Sequence, residues 1–140
     1  MAVWNIDLTT QDGAWSAAQN GGYACYVVAV LGVLGVAMGA MAVASGGSAL
    51  VIGVLAVGLA EILVFAFAGY RLQAGKGVIW GSVAAILLVL EIVGKLITLT
   101  GLPGLVINVI VLIVLVQGIR GAAAIKSGRL NADDAAAVFD

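Results

Sequence analysis

The sequence predicts an all-α polytopic membrane protein, an up-down-up-down bundle of four transmembrane helices. No charged residue lies between Asp12 and Glu61, a stretch of 48 positions broken only by the turn Ser45-Gly46-Gly47-Ser48. Two further apolar runs follow, at 78–98 and 105–125. A spanning helix needs ~20 predominantly apolar residues, since the hydrocarbon is ~30 Å thick and a helix rises ~1.5 Å per residue. The uncharged stretch therefore holds two spans, and each later run holds one. Composition agrees: the 140 residues are 64% hydrophobic and 9% charged, with mean hydropathy +1.23. Soluble domains carry about 25% charge, so this inventory cannot build a water-facing surface.

The first 22 residues are polar with apolar points at Trp4, Ile6, Leu8 and Trp15. They read as an interfacial segment, with Asp12 capping a short helix that begins at Gly13. Residues 23–125 form the transmembrane domain and 126–140 a tail. The first basic residue is Arg71, so the cationic start of a cleaved signal peptide is missing and the first span, 23–44, is expected to stay as an anchor.

Small residues recur along that span at Gly32, Gly35, Gly39, Ala42 and Gly46, in alternating steps of three and four. The second span repeats the rhythm at Ala49, Gly53, Ala56 and Ala60. Such a rhythm is the seam of a left-handed helix pair. Folding about the Ser-Gly-Gly-Ser turn pairs Gly46 with Ala49, Ala42 with Gly53, Gly39 with Ala56 and Gly35 with Ala60. Helices in lipid associate by close packing, which small residues permit. The third span carries Gly77, Gly81 and Ala84 toward one end and Glu91, Lys95 and Thr98 toward the other. The fourth begins after Gly101-Leu102-Pro103-Gly104, a tight turn with the chain's one proline just before the helix. In the tail, Asn131 followed by Asp133 and Asp134 reads as another helix start.

Charge sets the orientation. Arg71, Lys76, Arg120, Lys126 and Arg129 share one side of the four spans, and Lys95 alone approaches the other. Cytoplasmic loops collect Lys and Arg, so both termini are expected in the cytoplasm, in a bacterial inner (plasma) membrane. Trp4, Trp15, Tyr23, Tyr26, Tyr70 and Trp80 gather on the same side.

Ionisable groups within hydrocarbon are costly and mark candidate sites. Depth counting places Glu91 roughly 10 Å and Lys95 roughly 4 Å below the outer boundary, with Asn108 between them. The Glu91–Lys95 spacing suits an i, i+4 ion pair, either self-neutralising or part of an entry site. Glu61 comes near the midplane, at the level of Gln117, with Ser82 a turn below and Arg120 roughly 7 Å lower. That quartet is either a packing hydrogen bond between Glu61 and Gln117 or the site of a proton or cation carrier.

The chain has no histidine, no aspartate in any span and one cysteine, Cys25. Those absences remove the usual general bases and metal ligands, so no enzyme activity, cofactor or metal is expected. Scattered basic residues and a net charge of −1 exclude nucleic acid. The leading functional expectation is an accessory subunit that self-associates or docks on a larger membrane complex. The alternative is a small proton- or cation-linked transporter or channel using Glu61. A holin-like pore is disfavoured by the sparse, paired charges.

Overall fold

The structure, a computed structural model, describes residues 7–46, 49–98 and 102–128. Among these residues are four helices: α1 (Gln11–Ala44), α2 (Ala49–Gln73), α3 (Val78–Thr98) and α4 (Leu102–Ser127). All four are long and apolar enough to cross a membrane, and no strand occurs among the described residues. The chain is a small integral membrane protein. The expected features at Trp4, Ile6, Gly47, Ser48 and Asn131–Asp134 lie outside the described residues.

α1 begins earlier than the sequence suggests. Thr10 is its cap: the Thr10 Oγ1 accepts from the Gly13 N–H at 3.1 Å. Asp12 therefore does not cap; it sits in the first turn, where its charge faces the positive end of the helix dipole. Just upstream, Asp7 Oδ1 accepts from the Thr9 N–H at 2.9 Å. The Thr9 hydroxyl and amide hold this exposed carboxyl below the usual carboxylate range. From Gln11 the helix runs without a break through Tyr23, so residues 11–22 are not a separate short helix. At 34 residues and ~1.5 Å each, α1 measures about 51 Å, well over the hydrocarbon thickness.

The helices form a ring in which α1 packs on α2 and α4, and α3 packs on the same two. Residues early in α1 meet residues late in α2 and α4, as in an up-down-up-down bundle. The end that holds Gln11, the 74–77 turn and Ser127 is called the basic end here; the end at Ser45 is the hairpin end.

Packing is tightest toward the basic end. Ala14, Ala17, Ala18 and Gly21 form one stripe of α1 and are all buried. They face Gly118, Gly121 and Ala122 of α4, also buried, and a β-carbon added to Gly21 would lie 2.7 Å from the Gly118 Cα. The two backbones touch. Phe65, Leu72, Leu88, Leu115 and Cys25 fill the core beside this crossing, each at 0% exposure. Phe67 and Trp80 join α2 to α3 edge-to-face, with ring centroids 4.7 Å apart.

The α1–α2 seam has the expected three-four rhythm on a different face of α2. Leu55 Cδ2 lies 2.6 Å from where a Gly39 β-carbon would be, Ile62 Cγ1 2.8 Å from that of Gly32, and Val36 Cγ2 3.0 Å from that of Gly58. The inward stripe of α2 is thus Leu55, Gly58, Ile62, Phe65 and Gly69, while Gly53, Ala56 and Ala60 are exposed. Gly35 is exposed as well, and nothing stands within 4 Å of its missing β-carbon or that of Gly53. The pairings Gly35–Ala60, Gly39–Ala56 and Ala42–Gly53 are therefore corrected; the side chains of Ala42 and Ala49 lie outside the described residues. The level is right within one residue, and the face is turned by about 100°, one helical position. Branched side chains seated in glycine notches gain more dispersion contact than small residues laid against small ones.

Candidate functional site in the hairpin half

Above the tight crossing, the helices part around a half-enclosed cavity of about 510 Å³. At ~30 Å³ per molecule this holds on the order of fifteen waters. Every helix contributes to it: α1 through Gly32, Gly35 and Gly39, α2 through Glu61, α3 through Glu91 and Lys95, and α4 through Gly104 and Asn108. Gly32 and Gly39 hold the α1–α2 seam at its edge, while Gly35, expected in that seam, leaves room instead.

The polar groups fall into three kinds. Lys95 Nζ donates to Glu91 Oε1 at 2.5 Å, with the two side chains 25% and 34% exposed. Lys95 does not reach outward: its Nζ lies 3.3 Å from where a Gly104 β-carbon would be, so the missing side chain on α4 makes its berth. Asn108 is buried, and its Nδ2 has no hydrogen-bond partner among the described residues. Glu61 is half-buried, makes no hydrogen bond or ion pair among the described residues, and feels the charges of Glu91 and Lys95. Counting Glu61, Glu91 and Lys95 as ionised, the cavity carries a net charge of about −1.

The structure thus joins Glu61 to the outer set of residues and separates it from Gln117, Ser82 and Arg120. Ser82 Oγ donates to the Val78 carbonyl at 2.8 Å, inside its own helix. Gln117 Oε1 is buried without a partner among the described residues, Arg120 is exposed, and neither lines the cavity. The reason is stagger. The Gly21–Gly118 contact, continued along the antiparallel pair, sets Gly104 level with Gly35, and both line the cavity. α1 then runs about seven residues, ~10 Å, farther than the start of α4. Depths counted from the two turns as though they were level therefore mismatch α2 with α4 by about that distance.

Sequence reading missed Gly104 as the floor beneath Lys95 and the α1–α4 crossing at Gly21, Gly118 and Gly121. The crossing has a sequence signal: Ala14, Ala17, Ala18 and Gly21 already follow the i, i+3, i+4, i+7 pattern. No group of three or more potential metal ligands forms among the described residues. Comparison of the chain with protein-family models, curated proteins and solved structures finds no match.

Proposed function

We propose that this protein is a small cation-linked transporter or channel in which Glu61 holds a proton or small cation. The observation that carries the reading is the convergence of Glu61, Asn108 and the Glu91–Lys95 pair on one cavity between all four helices. With Lys95 engaged by Glu91, the Glu61 carboxylate is left to be neutralised by something else. An uncompensated charge in a low-dielectric setting is costly, so a proton or cation is drawn to it. Asn108 adds a carbonyl oxygen that can share a metal cation. The localisation proposed with it is a bacterial inner membrane with both termini cytoplasmic, the hairpin-end cavity facing outward.

Flux in proteoliposomes tests the role of Glu61. Wild type is expected to dissipate an imposed proton or monovalent-cation gradient, and Glu61→Gln to do so at least tenfold more slowly, since the amide keeps the shape but cannot hold the charge. Equal flux from the two proteins refutes the transport reading. Orientation is read separately in whole cells. Ser45→Cys is expected to react with an impermeant thiol reagent and Ala74→Cys to be protected, against a background in which buried Cys25 is silent. The opposite pattern reverses the topology.

Assembly with further copies or with another membrane protein is the second reading. It is favoured by the exposed stripe Gly53, Ala56 and Ala60, and by a shallow groove over the exposed residues Gly53, Val54 and Val57 of α2, which Glu61 borders. Small residues allow a neighbouring helix to approach closely.

A further inference from the structure

At the basic end, the start of α1, the α2–α3 turn and the last turns of α4 enclose a second half-open cavity, of about 620 Å³. Three cations line it, Arg71, Lys76 and Lys126, beside Trp15 and the apolar side chains of Ile79 and Ile125. No described carboxylate lines it. The acids described at this end, Asp7 and Asp12, are exposed and do not line it. The ion pair found among the described residues, Glu91–Lys95, lies in the hairpin half, so none of these three cations is neutralised by a described acid.

The backbone holds the cations together. α2 closes with the Gly75 N–H donating to the Leu72 carbonyl at 2.9 Å and the Lys76 N–H donating to the Arg71 carbonyl at 3.0 Å. Gly75 takes φ +66°, as this helix-ending motif requires. The longer bond ties Lys76 to Arg71, so both side chains leave one corner. Trp15 covers that corner: its Cζ3 lies 2.9 Å from where a Gly75 β-carbon would be. With the Ala74 N–H donating to the Tyr70 carbonyl, these closing bonds engage the carbonyls of Tyr70, Arg71 and Leu72 without using the cationic side chains. Arg71 Nε is buried and, among the described residues, has no hydrogen-bond partner, so no protein acceptor engages this end of the guanidinium.

A guanidinium and two ammonium groups suit the oxygens of a phosphate, and a guanidinium can grip two at once. The remaining walls are apolar, and Ile79 is 71% exposed on the adjoining surface of α3. A tryptophan beside them is the side chain that favours the headgroup level of a bilayer. An anion that carries a hydrocarbon tail fits both halves of this surface. We propose that the cavity binds the phosphate headgroup of an anionic phospholipid, with its acyl chains running along Ile79.

The purified full chain, delipidated in a neutral detergent, is mixed with phosphatidylglycerol, phosphatidylcholine or inorganic phosphate, and bound ligand is counted by native mass measurement. Phosphatidylglycerol is expected to bind at least tenfold more tightly than phosphatidylcholine. Lys76→Gln and Lys126→Gln, both at exposed positions, are each expected to weaken it about fivefold, with unchanged thermal stability in the absence of lipid. Arg71→Gln is expected to lose more, and Arg71→Lys to recover the charge but not the two-point grip. Equal retention of the two lipids overturns the proposal, as does undiminished binding by the Lys76→Gln/Lys126→Gln double variant. Inorganic phosphate that binds as tightly as phosphatidylglycerol makes this a free-anion site and overturns the lipid assignment.

Discussion

Gly118→Leu and Gly121→Leu are expected to prevent the bundle from forming, while Gly35→Ala and Gly53→Ala leave it intact. A β-carbon on Gly118 would stand 2.6 Å from the Gly21 Cα, and one on Gly121 would press on the Ala14 carbonyl and lie 2.9 Å from the Ala17 Cβ. The obstructing atoms are mainly backbone, which cannot rotate aside as a side chain can. Overpacking a dense interior costs about 1–3 kcal/mol even where side chains adjust. Here α1 and α4 must separate, and the loss is expected at the upper end of that range or above it. Helices in lipid have no hydrophobic drive toward one another, so separation forfeits the dispersion contacts that hold them. At Gly35 and Gly53 nothing lies within 4 Å of the added carbon, and replacing helical glycine by alanine is worth about 0.5–1 kcal/mol in the opposite direction. Cys25 is a built-in reporter, since it is fully buried beside the crossing. Its labelling by a thiol reagent on heating should move to much lower temperature in Gly118→Leu and stay in place in Gly35→Ala. A Gly118→Leu melting profile that overlays wild type would remove the close crossing from the account.

The contrast between those glycines shows what was readable in the chain. Hydropathy locates spans, and the run 78–98 coincides with α3, whose start follows the 74–77 turn. Leu102, Pro103 and Gly104, expected in a turn ahead of the fourth helix, already belong to α4, since proline fits the first turn of a helix. Hydropathy failed at the start of α1, where Ala14, Ala17, Ala18 and Gly21 contribute little hydrophobicity but much contact. Small residues signal close packing whatever their hydropathy, and the interfacial reading of residues 11–22 overlooked that. The rhythm along α1 and α2 correctly indicated a heptad-like pair, yet periodicity alone does not say whether Ala56 or Leu55 faces the partner. That choice depends on the shape of the notch at Gly39. The candidate site suffered from a third effect. Height along a helix can be counted, but the stagger between hairpins is set by where the backbones cross, here Gly21 and Ala14 against Gly118 and Gly121. With α4 so placed relative to α1, Glu61 lines one cavity with Asn108 and Lys95, and Gln117 does not line it.

Lys95→Met is expected to destabilise the protein by about 1–3 kcal/mol, a larger change than loss of Glu91 and Lys95 together. The single change leaves Glu61 and Glu91 facing one cavity with no cation between them. Removing one partner of a fully buried pair typically costs about 3–5 kcal/mol. The pair here is partly open, at 25% and 34% exposure, so solvent screening lowers the expected figure. Lys95→Met/Glu91→Leu removes the second charge with the first and replaces both with apolar groups, an exchange that is often neutral or stabilising. It should therefore recover most of the lost stability. The four proteins form a thermodynamic cycle in which residues in direct contact are expected to show a coupling of at least ~1 kcal/mol. If Glu61 is the cation site, added monovalent cation should restore Lys95→Met more than wild type, because the variant's cavity has an extra uncompensated negative charge. Thermal unfolding with and without salt, using one impermeant organic cation as a control, measures both effects. A cycle that closes at zero coupling would show that Lys95 does not govern the charge of this cavity, and Glu61 would then have to be neutralised by groups outside it.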